Sequence, residues 1–219
     1  AEHNKVVVAV MVEPIQGEGG IHVPDQNYLA SLRKVCDEND WLLILDEIQT
    51  GNGRTGQYFC YQSSGIKPDV VTLAKGLGNG IPIGVCLARG KAAEVLGAGN
   101  HGSTFGGNPL SCAVATTVVD QIEKLGLAAR AGELGDRMMG KFKQRLESLN
   151  SVKDIRGMGL MIGIELNSPC GDLVAKGLEK GILINVAADS VIRLLPPLTI
   201  TDDEAEQICD IVCQLVEAV

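Results

Sequence analysis

Apolar positions along the chain fall into short unbroken runs separated by helical stripes. Lys5–Val12 (KVVVAVMV) is a continuous β-rich run, which predicts a strand buried on both faces. Trp41–Leu45, Val70–Leu73 and Ile83–Leu87 repeat that texture. Between the first two, Leu29, Leu32, Val35 and Cys36 form a stripe that predicts a helix from about Gln26 to Asn39, with Pro24 and Asp25 as its start signal. Strand, helix and strand at this spacing predict a βαβ unit and a largely parallel sheet.

Beyond Pro109 the pattern predicts a helix to about Leu125, then a more polar helix from Leu127 to Leu149. After Gly157 the texture changes. Leu160–Leu166 and Ile182–Val186 read as short strands around a helix near Asp172–Lys180. A final helix is expected over Asp202–Val219, with Thr201 as N-cap and Glu204 completing a capping box. The expected architecture is α/β in two domains, residues 1–125 and 126–219, with the boundary near Gly126.

Composition narrows the function classes. The chain has 45% hydrophobic and 21% charged residues, which suits a packed core. Gly numbers 27 against one Trp, three Tyr and three Phe, so the core rests on aliphatic side chains and many tight turns. A net charge of −8 without a Lys/Arg cluster argues against nucleic acid as a partner. No apolar run approaches the ~18–20 residues of a membrane span. The seven Cys show no CxxC and no Cys/His spacing suited to a metal, which points to free thiols in a reducing cytoplasm. Cys209 and Cys213 read as buried positions on a helix.

Chemistry gathers where strands end. Val12 runs into Glu13, Leu45 into Asp46, and Leu73 into Ala74-Lys75. The carboxyl ends of parallel strands face the ligand crevice of an open sheet, so Asp46 and Lys75 can converge there. An acid and an amine at one crevice suit pyridoxal chemistry: the amine binds the cofactor aldehyde covalently, and the carboxylate keeps the pyridine nitrogen protonated. From position alone, the commoner roles are a helix cap for the Asp and a solvated side chain for the Lys. Gly51-Asn-Gly-Arg-Thr-Gly56 matches GxGxxG in letter. A dinucleotide site would want the glycines at the strand end and an acid at the end of the next strand, where this chain has Lys75.

The flanking sequence decides between these roles. VEPIQGEGG (12–20), LDEIQTGNGRTG (45–56), PDVVTLAKGLGNGIPIG (68–84) and GSTFGGNPL (102–110) stand in the order found in the fold-type I, class III aminotransferases, and the chain resembles that family. RGMGLMIGIEL and VIRLLPPLTIT extend the resemblance over essentially all 219 residues. HGSTFGGNPL and NVAADSVIRLLPPLTIT look most like the bacterial acetylornithine aminotransferases of arginine synthesis; ornithine, succinylornithine and 4-aminobutyrate enzymes share the core motifs.

The resemblance implies pyridoxal 5'-phosphate as cofactor and the C-terminal part of a fold with a mostly parallel sheet plus a small α/β domain. It implies Lys75 as the covalent anchor, Asp46 at the pyridine nitrogen and Gln49 near the ring hydroxyl. Thr104, with Ser103 beside it, would meet the cofactor phosphate of a neighbouring subunit, which implies a homodimer. Arg193 would take the substrate α-carboxylate and Glu18 would pair with that arginine. The implied reaction moves an amino group from an ω-amino donor to 2-oxoglutarate. Family members carry a further half before the VEPIQGEGG strand, with a phosphate-binding turn and an aromatic residue that stacks on the ring. The chain opens without Met. The expectation is therefore a companion chain supplying that half, or an incomplete fragment. Two rival readings are a non-catalytic interaction fragment and another pyridoxal chemistry such as an aminomutase or decarboxylase.

Overall fold

The structure, a computed structural model, describes residues 7–219. The chain divides into two compact units.

The first unit comprises residues up to Pro14, Pro24–Asn52 and Gln57–Leu125. Its sheet has the order β1-β2-β3-β4, with β1 (Ala9–Val12), β2 (Leu42–Asp46), β3 (Val70–Leu73) and β4 (Val85–Ala88). β1–β2 and β2–β3 are parallel, whereas β3–β4 is antiparallel. The sheet is therefore largely parallel, as expected, with an antiparallel strand, β4, at its edge. Helix α1 (Tyr28–Asn39) links β1 to β2, and Leu29 and Cys36 pack on Leu43 and Leu45. It starts later than expected because the Asp25 carboxylate accepts from the Asn27 N–H, closing a turn ahead of the helix. A short α2 (Lys91–Val95) and α3 (Pro109–Lys124) complete the unit.

β1 also departs from expectation. Lys5 and Val6 lie outside the described residues, and Val7 and Val8 precede the strand. Met11 is 58% exposed, so the strand is not buried on both faces. Among the described residues β1 pairs with β2 alone, at the sheet edge.

The second unit takes Gly126–Val219 together with Ile15–Val23 and Gly53–Gly56, two segments that the sequence pattern assigned to the first domain. Its sheet is antiparallel throughout, with the order β5-β6-β8-β7: β5 (Val152–Met158), β6 (Met161–Leu166), β8 (Val191–Leu194) and β7 (Asn185–Ala187). Helices α4 (Leu127–Leu146), α5 (Leu173–Glu179) and α6 (Asp202–Glu217) cover it. Phe142 and Leu134 of α4, Ile162 and Ile192 of the sheet, and Val212 and Cys213 of α6 belong to one continuous core. Burial pushes the Cys209 thiol up to about 12, as suits a packing residue rather than a reactive one. The N-terminus of α6 carries the expected capping box: Glu204 N–H donates to Thr201 Oγ1 (3.2 Å), and Thr201 N–H to Glu204 Oε2 (2.9 Å).

Arg54 shows why the 53–56 segment joins this unit. Its guanidinium donates to the Leu160 and Pro196 carbonyls, and Leu160 N–H returns a bond to Arg54 O (3.0 Å). Burial lowers Arg54 to about 10. Gly159 sits in the left-handed region at φ 56°, where a Cβ would meet Arg54 O at 2.6 Å. The GxGxxG-like stretch is thus a structural clasp.

Candidate active site

In the first unit β2 and β3 run parallel, with Asp46 opposite Thr72, so their carboxyl ends emerge at one sheet edge. Asp46 Oδ1 accepts from Ile48 N–H (3.0 Å) and Thr72 Oγ1 (3.2 Å). These two bonds fix the direction of the carboxylate. Lys75 follows β3 at once, at φ 47°, and opens a 3₁₀ turn over Lys75–Gly78. A left-handed backbone at a non-glycine residue costs about 1–3 kcal/mol and persists where its surroundings hold it. Here Asn52 Nδ2 donates to Ala74 O (3.3 Å), and Tyr58 Oη to Asn52 Oδ1 (3.4 Å). Leu73 before the turn and Leu77 within it pack with Ala115 of α3.

A cavity of about 620 Å³ opens beside this turn, lined by Lys75, the 80–84 segment, Ser103, Phe105 and Gly106. Lys75 and Ser103 therefore share one space. Ser103 Oγ accepts from Gly106 N–H at 3.2 Å, which shapes the loop before α3. Thr104 is exposed next to Ser103 and is not among the lining residues. Gln49 is half-buried in the segment after β2 and also stands outside the lining.

Sequence reasoning passed over Glu47, which holds that segment together. It is fully buried. Its carboxylate accepts from Cys60 N–H (2.8 Å), Tyr61 N–H (2.9 Å) and Thr50 Oγ1 (3.0 Å). Burial raises its pKa, against the pull of these three donors. Beside Asp46 in LDEIQ, nothing in the local sequence marks Glu47 as the buried acid.

The second unit brings Arg193 and Glu18 together. Arg193 Nη1 donates to Glu18 Oε1 at 2.6 Å, and Arg193 Nε to Asn185 Oδ1 at 3.0 Å. The arginine side chain is 12% exposed and the glutamate 69%. Glu18 sits in a tight loop whose ends, Gln16 and His22, pair as an antiparallel bridge. A fixed guanidinium facing a solvent-accessible carboxylate can exchange that partner for a carboxylate from solution.

The chain matches the family model for aminotransferase class-III over residues 1–216. It belongs to this family. Among curated class-III relatives it is 52% identical over 216 residues to the acetylornithine aminotransferase of Nitrosomonas europaea, covering 99% of this chain and 55% of that protein. It is 46% identical to the acetylornithine aminotransferase of Methanocaldococcus jannaschii, covering 90% of this chain and 50% of that one. The chain thus spans about half the length of the curated relatives it matches. Among solved structures, an ornithine aminotransferase from Toxoplasma gondii superposes with a TM-score of 0.92 at 39% identity, covering 96% of this chain and 51% of that one. That enzyme has partial occupancy of PLP at its active site. An acetylornithine aminotransferase from Elizabethkingia anophelis gives a TM-score of 0.91 at 34% identity, covering 96% of this chain and 54% of its own.

Proposed function

We propose that this chain supplies the catalytic lysine of a pyridoxal 5'-phosphate-dependent aminotransferase that moves the amino group of N-acetylornithine to 2-oxoglutarate in arginine biosynthesis. The observation that carries the reading is the shared sheet edge: a carboxylate locked by two donors at the end of β2, and a lysine in a strained turn at the end of the adjacent parallel β3. The donor set suits the cofactor. Asp46, an anchored carboxylate outside the cavity lining, would pair with a cationic ring nitrogen, and Lys75 lines a cavity roomy enough for a small aromatic phosphate. When bound, pyridoxal phosphate supplies an electron sink for the substrate carbon.

The chain's residues do the rest. The Lys75 amine anchors the cofactor and, once released, moves a proton at the substrate carbon. Asp46 keeps the ring nitrogen protonated, and Gln49 orients the ring hydroxyl. Ser103 and Thr104 serve the phosphate, Thr104 for the neighbouring protomer of a homodimer. Arg193 takes a substrate carboxylate, and Glu18 occupies the arginine when that carboxylate is absent, so one site accepts two differently shaped substrates. The free thiols, both buried and exposed, support a cytoplasmic setting.

The naming of the curated relatives supports N-acetylornithine as donor. Ornithine is the second reading, supported by the likeness to the T. gondii ornithine aminotransferase. A panel of ω-amino donors, assayed with and without 2-oxoglutarate, decides. N-acetylornithine is expected to have the highest kcat/KM, and turnover without any oxo acid would instead indicate an aminomutase.

A further inference from the structure

Four residues stand side by side across the sheet of the second unit. The register pairs Arg156 of β5 with Gly163 of β6, Gly163 with Arg193 of β8, and Arg193 with Asn185 of β7. Directly paired residues share a face, so two arginines flank a glycine on one row. The Gln16–His22 loop lies along that row. Arg156 Nε donates to Ile21 O (2.8 Å) and Nη2 to Gly20 O (2.6 Å). Ile21, fully buried and left-handed at φ 53°, fills the gap over Gly163, where a Cβ would meet the Ile21 Cβ at 2.9 Å. At the far end of the row Glu18 reaches Arg193.

The two arginines are committed differently. Arg156 is held by Asp154 and Glu165 of its own sheet and spends its remaining donors on the loop backbone. The carboxylate that answers Arg193 rides on that same loop. We propose that Arg156 is a positioning residue: by clamping the Gly20 and Ile21 carbonyls it holds Glu18 in place as the internal competitor for Arg193, and so sets how strongly a substrate carboxylate must compete. This rests on the carboxylate-exchange role given to Arg193 above. A guanidinium is required because two adjacent carbonyls and two carboxylates must be met by one planar fork, which an ammonium cannot supply.

The test is a double-mutant cycle in the assembled, cofactor-loaded enzyme, with Glu18→Gln, Arg156→Gln and the pair, plus hydrogen exchange of the 17–21 amides. Glu18→Gln is expected to lower KM for the oxo acid about tenfold. Arg156→Gln is expected to lower it about threefold to tenfold and to accelerate loop exchange by about tenfold or more, with no further KM effect once Glu18 is already Gln. Arg156→Lys should behave like Arg156→Gln. Asp154→Asn, milder and on an exposed partner, should move both readouts the same way if Arg156→Gln does not fold. If Glu18→Gln leaves KM unchanged, the exchange role of Arg193 fails and takes this inference with it. If Glu18→Gln shifts KM but Arg156→Gln does not, or shifts it equally in both backgrounds, the inference alone is overturned.

Discussion

The two units hold their functional side chains by different means. In the second, one continuous core joins α4, α6 and the sheet, and the Arg193–Glu18 pair is displayed on that support. In the first, apolar packing falls into separate clusters, Leu43 and Leu45 with α1 and Leu73 and Leu77 with α3. The segments bearing Asp46 and Lys75 are fixed instead by polar locks: Glu47 on the backbone of 60–61, Thr72 on Asp46, and Asn52 on Ala74. The contrast separates a unit in which one core carries the sheet beneath the ion pair, with Arg156 clamping the loop above it, from one whose site segments are tied by hydrogen bonds between small apolar clusters.

The largest effect expected is chemical and confined to the first unit. Lys75→Ala should reduce single-turnover transamination by on the order of a thousandfold or more while leaving thermal unfolding little changed. Next in size, Phe142→Ala should destabilise the second unit by about 3–5 kcal/mol. Amide exchange should then quicken throughout α4 and β6 with little change in α1 and β2. Equal loosening in both units would break the comparison.

Buried carboxylates sharpen it further, through opposite pH dependence. Folding raises Glu47 above its ordinary 4.5, because burial outweighs the Tyr61, Cys60 and Thr50 donors. The folded state holds that proton more tightly, so its contribution is complete below pH 4.5 and lost as pH rises through the folded value. Folding lowers Glu165 below 4.5, through Lys153 first and then Arg156, so its contribution is complete above that pH and lost on acidification through the folded value. Urea titrations of the wild type and the Glu47→Gln and Glu165→Gln variants across the acid range should give stability differences of opposite slope. Removing the Glu47 acceptors leaves the Cys60 and Tyr61 N–H groups without this partner, which should cost about 1–3 kcal/mol. The smallest effect is expected at the surface pairs between α4 and α6, where Arg145 meets Asp210 and Glu217. Arg145→Ala should lower the melting temperature slightly, and the difference should shrink as salt rises.

Periodicity made the helices legible: α3, α4 and α6 begin where Pro109, Leu127 and Thr201–Asp202 predict. It failed for strands whose burial is uneven. β5 carries Lys153, Asp154 and Arg156 in seven residues, and these polar side chains obscured it. β8 was read as a motif around Arg193 rather than as a strand. For the site, Asp46 and Lys75 were legible because strand ends point to a crevice, and ordered motifs supplied the rest. Glu47, Asn52 and Arg156 were not, because their roles lie in bonds to backbone far away in the chain. Arg156 meets carbonyls more than a hundred positions distant, and no local spacing records that.

The central claim is that Lys75 anchors the cofactor. Borohydride reduction of the cofactor-loaded protein, followed by peptide mass mapping, tests it most directly. The account predicts a pyridoxyl group on Lys75 in the LAKG peptide, and none there in Lys75→Ala. A cofactor-loaded protein whose label falls on another lysine, with Lys75 unmodified, would contradict it.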